Sequence, residues 1–457
     1  MRLSQLAALT GGELRGADRE FATVGIDSRT LAPRDLFFAL TGPRFDGHAY
    51  IADAFDRGAC GAVVERWVDG DLPQIRVADT RLALGQLGKS WRLSRRARVV
   101  GLTGSNGKTT VKEMIAAILG VGASVLSTRG NLNNDLGVPL TLLGLRPEHR
   151  YAVIEMGANH PGEIAYVAGL AQPEIAVITN AGSAHLEGFG SREGVARAKG
   201  EIVAALGTEG IAVLNADDPF FSLWREIAGR RRVQSFGFGA GADVRGLAET
   251  IGQACGEDGF ETRFEYEQAG RCQSIRLGLA GRHNVANALA AIAVADALGI
   301  GPEQIAEGLS RVKPVPGRLQ LLHTGHGASI VNDTYNANPS SFAAALDVLL
   351  DLPGEPWIAL GAFGELGADS AGLHAELGRE AKRRGVARLY ATGSLAEKAV
   401  ETFGEGAEYF ADQDDLIGHL EQAVRPGVVV LVKGSRSQRM ERVVQALSVG
   451  RESKTCC

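Results

Sequence analysis

The chain has 457 residues, of which 45% are hydrophobic and 22% charged, and its formal net charge is -5 at pH 7. This composition is ordinary for a globular protein, and the length predicts about three domains at the usual ~150 residues each. The acidic balance argues against a nucleic-acid backbone or an anionic membrane as the main partner. No apolar run approaches the ~18 residues of a membrane span, so we expect no integral membrane segment.

The cysteines Cys60, Cys255, Cys272, Cys456 and Cys457 are odd in number and lack the spacing of a disulfide framework or a zinc site. The first twelve residues lack the basic region and the apolar core of a secretory signal. We therefore expect a cytoplasmic protein.

Residues 1–85 are predicted to form a small mixed domain. It contains the turn-like segment 27–29, the apolar run 35–40 and a helical pattern at 50–57. A further helical pattern at 82–96 connects this domain to the next strand.

A phosphate-binding turn follows the apolar run 98–102 and precedes a helical pattern. Its residues are Thr103, Gly104, Ser105, Asn106, Gly107, Lys108, Thr109 and Thr110. In such a turn the glycines let backbone N–H groups point at phosphate oxygens, Lys108 neutralises phosphate charge and Thr109 can hold Mg²⁺. The strict pattern needs glycine at position 102, where Leu102 stands, so Gly104 must make the turn instead. A tight turn with a solvated lysine is the alternative at this point.

The rest of the predicted central domain, 86–313, alternates short apolar runs with helical patterns. Because the runs are apolar throughout, they predict strands buried on both faces and hence a parallel sheet flanked by helices. A more polar insertion at 229–279 indicates a small antiparallel patch, and a helix at 283–298 closes the domain. The runs lie at 151–154, 175–178 and 211–214.

Three polar residues follow or lie near the strand ends of this domain. Glu155 comes directly after the run 151–154, where P-loop proteins place a magnesium ligand. His185 follows the strand at 175–179 and faces the same sheet edge, although a structural hydrogen bond is an equal alternative. Lys199 lies in a helical pattern, where taken alone a solvated face is the simpler interpretation. The spacing of the three does not by itself define a metal site.

A linker separates the third predicted domain, 314–457, from the second. Two prolines and a glycine in Pro314–Gly317 end the preceding helix and begin a new unit. Strand patterns alternate with helical ones beyond it, which predicts a second, Rossmann-like doubly wound domain without its own P-loop. The fold class is therefore α/β with three domains. The strand patterns lie at 330–331, 357–360, 389–391 and 428–432.

Four further residues suit contact with a nucleotide. Asn284 and Asn287 are three apart near the start of a helix, where their amides can bind an adenine edge or cap the helix. Arg318 follows the linker and suits charge stabilisation of a transferring phosphoryl group, whereas Asp333 follows a strand and suits ribose hydroxyls. An interdomain salt bridge is the alternative for both.

Together these motifs resemble the Mur ligase family of peptidoglycan synthesis over nearly the whole chain. The variant P-loop with glycine at 104 is the form that this superfamily uses. Six segments are similar in particular to the members that add D-alanyl-D-alanine to UDP-N-acetylmuramoyl-tripeptide. They are 130–134, 137–141, 155–164, 180–187, 333–339 and 432–436.

The resemblance implies an ATP-dependent amide ligase that works through an acyl phosphate, with two Mg²⁺ ions. Thr109 and Glu155 match the first magnesium site, while His185 and a carbamylated Lys199 match the second. Lys108 and Arg318 match charge-stabilising positions. Asn284, Asn287, Arg318 and Asp333 match positions that receive ATP. The residues matched to substrate binding are Ser28, Arg29, Gly47 and His48, for the UDP sugar, and Asn131, Asn134, Asn336, Lys433 and Arg436.

One position departs from the family pattern, because Ala362 stands where an acidic residue is usual. Two alternatives are also open: a related ligase that adds a single amino acid, which segments 155–164 and 333–339 oppose, and a P-loop switch or motor. For the ligase we expect UDP-N-acetylmuramoyl-tripeptide and D-alanyl-D-alanine as partners, no nucleic acid, and a monomer.

Overall fold

A computed structural model of the chain describes residues 1–182, 186–256, 259–324, 327–367 and 369–448. Three main β-sheets follow one another along the chain, each with helices packed against it. The fold is α/β with three domains, which confirms the predicted class. Within the described residues, no helix is both long and apolar enough to cross a membrane.

The first sheet has five short strands in the order β1-β7-β6-β3-β2, parallel except for the pair β1 and β7. A hairpin of β4 and β5 lies beside it. The strands are β1 Glu13–Arg15, β2 Val24–Gly25, β3 Leu36–Phe38, β4 Thr41–Gly42, β5 Phe45–Asp46, β6 Gly61–Val64 and β7 Gln74–Arg76, with helices α1 Leu3–Thr10, α2 Ile51–Asp56 and α3 Thr80–Leu93 and 3-10 turns at Ser28–Thr30 and Gly47–Tyr50.

Helix α3 connects the first two domains. The Asp79 carboxylate caps it by accepting the backbone N–H groups of Arg81 and Leu82 at 2.8 and 2.9 Å. Its first half packs into the core of the first domain, and Trp91 near its end packs against the second. The predicted boundary between residues 85 and 86 falls inside this helix, and the boundaries stay a prediction.

The second sheet has nine strands in the order β16-β15-β14-β13-β12-β11-β8-β10-β9. They are parallel from β9 to β14, and β14, β15 and β16 continue the sheet as antiparallel strands. The strands are β8 Arg98–Thr103, β9 Val125–Ser127, β10 Tyr151–Glu155, β11 Ile175–Ile178, β12 Ile211–Asn215, β13 Arg232–Gly237, β14 Val244–Gly256, β15 Gly259–Gln268 and β16 Arg271–Leu277.

In the described part of the second domain, eight helices cover the two faces of this sheet. Separate hydrophobic cores fill the two sides, which is why the central strands are apolar throughout. The helices are α4 Lys108–Gly120, α5 Gly137–Leu143, α6 Glu163–Ala171, α7 Leu186–Phe189, α8 Arg192–Ala204, α9 Phe221–Ala228, α10 Arg282–Ala297 and α11 Pro302–Ser310.

The predicted antiparallel patch is confirmed from Val244 to Leu277, but its predicted start at residue 229 is wrong. The strand β13 within that stretch runs parallel to β12. Helix α9 crosses over between these two strands, and a β-strand followed by a helix and a neighbouring strand gives a parallel pair.

The third sheet has the order β17-β18-β22-β19-β20-β21, with only β17 antiparallel to its neighbour. All four predicted strands are present. The elements are β17 Gln320–His323, β18 Ser329–Asp333, β19 Glu355–Gly361, β20 Arg388–Thr392, β21 Ala407–Phe410 and β22 Val428–Lys433, with α12 Pro339–Leu350, α13 Ser370–Arg383, α14 Glu397–Phe403, α15 Gln413–Ala423, α16 Glu441–Ser448 and a 3-10 turn at Arg436–Gln438.

The second and third domains share part of a hydrophobic core. Phe260 of β15 and Ala280 belong to the second domain in sequence, yet both join the apolar cluster of the third. Phe260 is 6% exposed there. The antiparallel extension of the second sheet therefore contributes a side chain to the core of the next domain.

Candidate active site

The phosphate-binding turn lies between β8 and α4 and requires both of its glycines. A Cβ atom on Gly104 would lie 1.8 Å from Thr179 Oγ1, and one on Gly107 would lie 2.3 Å from Asn287 Oδ1. Gly107 also has φ +81°, a left-handed conformation that favours glycine. The position of Gly104 agrees with the prediction that it makes the turn in place of a glycine at 102.

Lys108 begins helix α4 and folds back over the turn. Its Nζ donates to the Gly104 carbonyl at 2.7 Å. Desolvation lowers its pKa from the ordinary value; the negative charge of Glu155 opposes the shift and the positive charge of Arg318 adds to it. The positive charge of Lys108 would therefore stabilise a bound phosphate group more strongly here than in a solvated site.

Thr109 and Glu155 meet directly, as the sheet topology requires. Glu155 ends β10, which is next to β8, and its Oε2 accepts the Thr109 hydroxyl at 2.9 Å. Its other oxygen accepts Asn133 Nδ2 at 2.8 Å, and its backbone N–H donates to Thr128 Oγ1 at 2.9 Å. The side chain is thus buried and held in place, with hard oxygen donors of the kind that Mg²⁺ prefers.

Arg318 reaches this pair from the third domain. Its Nη2 donates to Thr109 Oγ1 at 3.0 Å, and the guanidinium lies 4.1 Å above the ring of Tyr335. Its Nε is buried and has no hydrogen-bond partner within the described ranges. An interdomain salt bridge does not account for this arginine, whereas an anion at the turn would satisfy its free donor.

Asn284 and Asn287 lie on one face of α10 and are both buried. Asn284 Nδ2 donates to the Ala280 carbonyl at 2.7 Å, and Asn287 Nδ2 donates to Asn284 Oδ1 at 3.0 Å. Gly281, rather than either asparagine, is the N-cap residue. The side-chain oxygen Oδ1 of Asn287 faces Gly107. The polar start of this helix therefore packs against the phosphate-binding turn.

Asp333 and Lys433 form a buried ion pair at the ends of neighbouring strands. Lys433 Nζ also donates to the Asn336 carbonyl at 3.1 Å, and Asp333 Oδ1 accepts the Leu319 N–H at 3.3 Å. Lys433 is fully buried. The Lys433 ammonium is thus bonded to Asp333 and Asn336. Arg436, by contrast, is exposed, and its guanidinium lies 5.9 Å from the Tyr335 ring centroid.

Lys199 is 2% exposed on the inner face of α8, so the expectation of a solvated face is wrong. Its pKa lies well below the ordinary value because of desolvation and, secondly, the positive charge of Lys108. The same buried face of α8 carries Val195, Ala196, Ile202 and Val203. These apolar residues recur with the 3.6-residue period of a helix, and that period in the sequence would have placed Lys199 on the buried face.

His185 falls outside the described residues. Within the part of the chain that the structure describes, no group of three or more His, Cys, Asp and Glu side chains forms a metal centre.

A cavity of about 570 Å³ lies between the second and third domains, and most of the predicted residues described above line it, although Lys199 does not. The turn, the end of β10 and the start of α10 line one side, and Arg318, Tyr335 and the start of α12 line the other. Among the predicted residues, the cavity is lined by Ser105, Asn106, Gly107, Lys108, Thr110, Asn131, Asn134, Glu155, Asn284, Asn287, Arg318, Asp333, Asn336 and Lys433.

The predicted residues of the first domain do not line the described part of this cavity. The His48 ring is buried, with Nδ1 2.7 Å from Asp46 Oδ1 and Nε2 accepting the Glu65 N–H at 2.9 Å. Ser28 is buried, whereas Arg29 is exposed and paired with a neighbouring aspartate. Gly47 has no room for a side chain, since a Cβ would lie 2.7 Å from the backbone of Leu40.

Two residues that were not predicted as site residues fix the turn. Thr179 Oγ1 donates to the Asn106 carbonyl at 2.6 Å, and Asn180 Oδ1 accepts the Asn106 N–H at 3.0 Å. Both follow β11, and the polar residues directly after that apolar run were the available signal. Thr103, by contrast, is buried with its hydroxyl unpaired among the groups described.

Ala362 follows β19 and is buried beside Gly393. A Cβ on Gly393 would lie 3.0 Å from the Ala362 Cβ, and Ser435 Oγ donates to the Ala362 carbonyl at 2.8 Å. The chain therefore uses the backbone at this position, where the family usually has an acidic side chain.

Three family models match the chain, described as the Mur ligase middle domain over residues 102–295, the glutamate ligase domain over 317–436 and the Mur ligase catalytic domain over 20–92. The UDP-N-acetylmuramoyl-tripeptide--D-alanyl-D-alanine ligase of Escherichia coli strain K12 is 45% identical over 456 residues, covering 99% of both chains. The chain belongs to the Mur ligase family. This confirms the family that the motifs predicted.

Solved Mur ligase structures agree with this fold over nearly the full length. A crystal structure of MurF from Acinetobacter baumannii is 40% identical, with a TM-score of 0.90 over 97% of this chain and 98% of that one. MurF from Thermotoga maritima in complex with ADP is 32% identical, with a TM-score of 0.84 over 94% and 97% of the two chains.

Proposed function

We propose that this Mur ligase joins D-alanyl-D-alanine to UDP-N-acetylmuramoyl-tripeptide and uses ATP to do so. The full-length identity to the Escherichia coli ligase supports the substrates. The observation that carries the chemistry is that Lys108, Glu155 and Arg318 line one cavity, while Thr109 is hydrogen-bonded to both Glu155 and Arg318. A nucleotide switch needs no third domain that supplies an arginine beside the phosphate-binding turn and a second cavity wall.

The reaction has two steps. A carboxylate oxygen of the tripeptide attacks the γ-phosphorus of ATP, the bond to the β,γ-bridging oxygen breaks, and ADP leaves with that electron pair. The dipeptide amine then attacks the acyl carbon, phosphate leaves, and the nitrogen loses a proton to give the amide. Lys108 and Arg318 stabilise the negative charge that grows on the transferring phosphoryl group.

We propose that Thr109 and Glu155 hold one Mg²⁺, which would neutralise phosphate charge. Their oxygens are 2.9 Å apart and buried, which fits a hard cation. His185 and Lys199 are proposed for the second ion. An ammonium would repel that ion, whereas a buried lysine in its neutral amine form can add to CO₂ with loss of a proton, which gives a carbamate oxygen ligand.

The remaining predicted residues are proposed to bind substrates. Asn284, Asn287 and Asp333 line the part of the cavity that would receive ATP, together with the turn residues Ser105, Asn106, Gly107, Lys108 and Thr110. Thr103, Gly104 and Thr109 are proposed to bind ATP as the rest of the same turn. Asn131, Asn134 and Asn336 line the same cavity for the acceptor and donor peptides. Lys433 would act through Asp333, which it pairs with. Ser28, Arg29, Gly47, His48 and Arg436 lie away from this cavity and are proposed to contact the UDP sugar or the peptide.

We further propose a monomer in the cytoplasm, where ATP and UDP-linked precursors are available.

Phosphate release with Mg-ATP and UDP-N-acetylmuramoyl-tripeptide, measured with and without D-alanyl-D-alanine, tests the function. Release should depend on the dipeptide and yield an amide product of the corresponding mass. Turnover without the dipeptide would favour a nucleotide switch, and equal turnover with single amino acids would favour the related ligases.

A further inference from the structure

Asn106, at the apex of the phosphate-binding turn, contacts the third domain through its side chain. Its Nδ2 donates to Ser340 Oγ at 2.8 Å, and its Oδ1 accepts from Asn338 Nδ2 at 2.8 Å. Ser340 Oγ in turn donates to Asn338 Oδ1 at 2.8 Å. Each of the three side chains donates once and accepts once, so they form a closed interdomain ring of Asn106, Asn338 and Ser340. Hydrogen bonds in such chains polarise and strengthen one another.

The backbone of Asn106 is held separately by the second domain. Its N–H donates to Asn180 Oδ1 at 3.0 Å, and its carbonyl accepts Thr179 Oγ1 at 2.6 Å and Asn180 Nδ2 at 3.1 Å. With the backbone fixed from one domain and the side chain from the other, Asn106 has a single orientation. The left-handed turn at Gly107 follows directly.

The other two members of the ring belong to a rigid element. Asn338 is the N-cap of α12, and its Oδ1 also accepts the Ser341 N–H at 2.9 Å. Pro339 at the first helical position restricts the backbone further. Asn338 is buried. The helix start therefore sets the position of Asn106, rather than the reverse.

The ring also fits closely against the second domain. A Cβ on Gly182 would lie 3.0 Å from Ser340 Oγ and 3.4 Å from Asn106 Nδ2. The absence of a side chain at Gly182 is thus what allows Ser340 to reach the turn.

We propose that Asn338 and Ser340 are positioning residues that fix the phosphate-binding turn from the third domain, so that nucleotide affinity depends on this ring. The inference rests on the proposed binding of ATP at the turn. It differs from the role of Arg318, because neither Asn338 nor Ser340 carries charge toward the phosphates; they act only through Asn106.

Two substitutions break the ring while keeping the helix cap. Ser340→Ala removes the hydroxyl that accepts from Asn106. Asn338→Ser retains a side-chain oxygen for the cap but is too short to reach Asn106, and serine is as good an N-cap as asparagine. Ser370→Ala is the matched control, because it removes a serine hydroxyl at the start of another helix of the third domain, α13, where that hydroxyl donates to the Gly367 carbonyl at 2.6 Å, away from the cavity.

Titration calorimetry with Mg-ADP and steady-state kinetics with ATP give the readouts. Each ring variant should raise the ADP Kd and the ATP KM about three- to tenfold, as expected for one or two hydrogen bonds, while kcat at saturating ATP falls less. Ser370→Ala should lower the melting temperature without changing the ADP Kd. In an Asn106→Ala background, Ser340→Ala should have no further effect on affinity.

Three results would overturn the inference: ring variants that bind Mg-ADP as tightly as the wild type, an equal loss for Ser370→Ala, or an undiminished effect of Ser340→Ala when Asn106 is already alanine. A wild-type protein that binds no Mg-ADP and releases no phosphate with both substrates would instead refute the proposed function, and this inference with it. The wild-type measurement thus separates the two failures.

Discussion

Gly107→Ala tests the geometry of the phosphate-binding turn most directly. The backbone there has φ +81°, and a left-handed conformation costs a non-glycine residue roughly 1–2 kcal/mol. The added methyl carbon would lie 2.3 Å from Asn287 Oδ1, so the Asn287 amide must rotate. That rotation breaks its 3.0 Å bond to Asn284, at a further cost of about 1 kcal/mol. The free variant can relax out of this conformation, and nucleotide binding must then restore it, so the total of about 2–3 kcal/mol is expected as roughly a 30- to 150-fold loss in nucleotide affinity.

Calorimetric titration with Mg-ADP measures this loss, and the KM for ATP should rise in parallel. Gly120→Ala is the matched control, because Gly120 ends the same helix, has no left-handed backbone and has nothing within 4 Å of the added atom. The control should bind Mg-ADP as the wild type does and melt at the same temperature or slightly higher. If Gly107→Ala binds Mg-ADP within about twofold of the wild type, the turn does not need glycine and the reasoning is refuted.

Three further predictions concern the metal sites. Lys199→Ala should lower kcat by about 10- to 100-fold or more, and bicarbonate should restore activity to a decarbamylated wild-type preparation. Lys112→Met should raise the Mg²⁺ concentration for half-maximal activity several-fold, because Lys112 positions Glu155 through Thr128. The buried Lys112 donates to the Thr128 carbonyl at 2.6 Å, and the Thr128 hydroxyl accepts the Glu155 N–H. Treatment with EDTA should abolish turnover, and added Mg²⁺ should restore it.

Each of these has its own control. Bicarbonate should not rescue Lys199→Ala, and full activity of that variant would rule out the carbamate. Lys398→Met alters an exposed ion pair on α14 and should leave the Mg²⁺ dependence unchanged; an identical Mg²⁺ curve for Lys112→Met would show that Thr128 does not position Glu155. Turnover that persists after EDTA would exclude an essential metal.

Strong local patterns account for the parts of the fold that the sequence predicted. Strand β8, the turn and helix α4 follow from an apolar run, glycines and a helical period within about twenty residues. The two-residue strand Val24–Gly25 has no such pattern, since two residues cannot show alternation. The parallel direction of β13 depends on the crossover helix α9, which ends just before residue 229. The polar composition of 229–279 led the sequence reasoning to include β13 in the antiparallel patch.

The residues of the candidate site divide in the same way, into those that a local sequence pattern predicts and those that it does not. Glu155 was predicted as a magnesium ligand because it ends a strand next to the turn, where P-loop proteins place such a residue, and in the structure it contacts Thr109. Contacts between Arg318 and Thr109, or between Asn338 and Asn106, join residues more than 200 positions apart. Only the docking of one domain on another brings such pairs together, and no local period encodes it.

The burial of Phe260 in the core of the third domain limits where the chain can be cut into separately folding fragments. A fragment cut at the linker 314–317 would expose apolar surface that this ring now covers, at a cost of about 3–5 kcal/mol if the loss resembles truncation of a buried phenylalanine. The linker is therefore a poor place to separate the chain for expression. Heating should melt the second and third domains in one transition, and calorimetry would record a single peak for the pair.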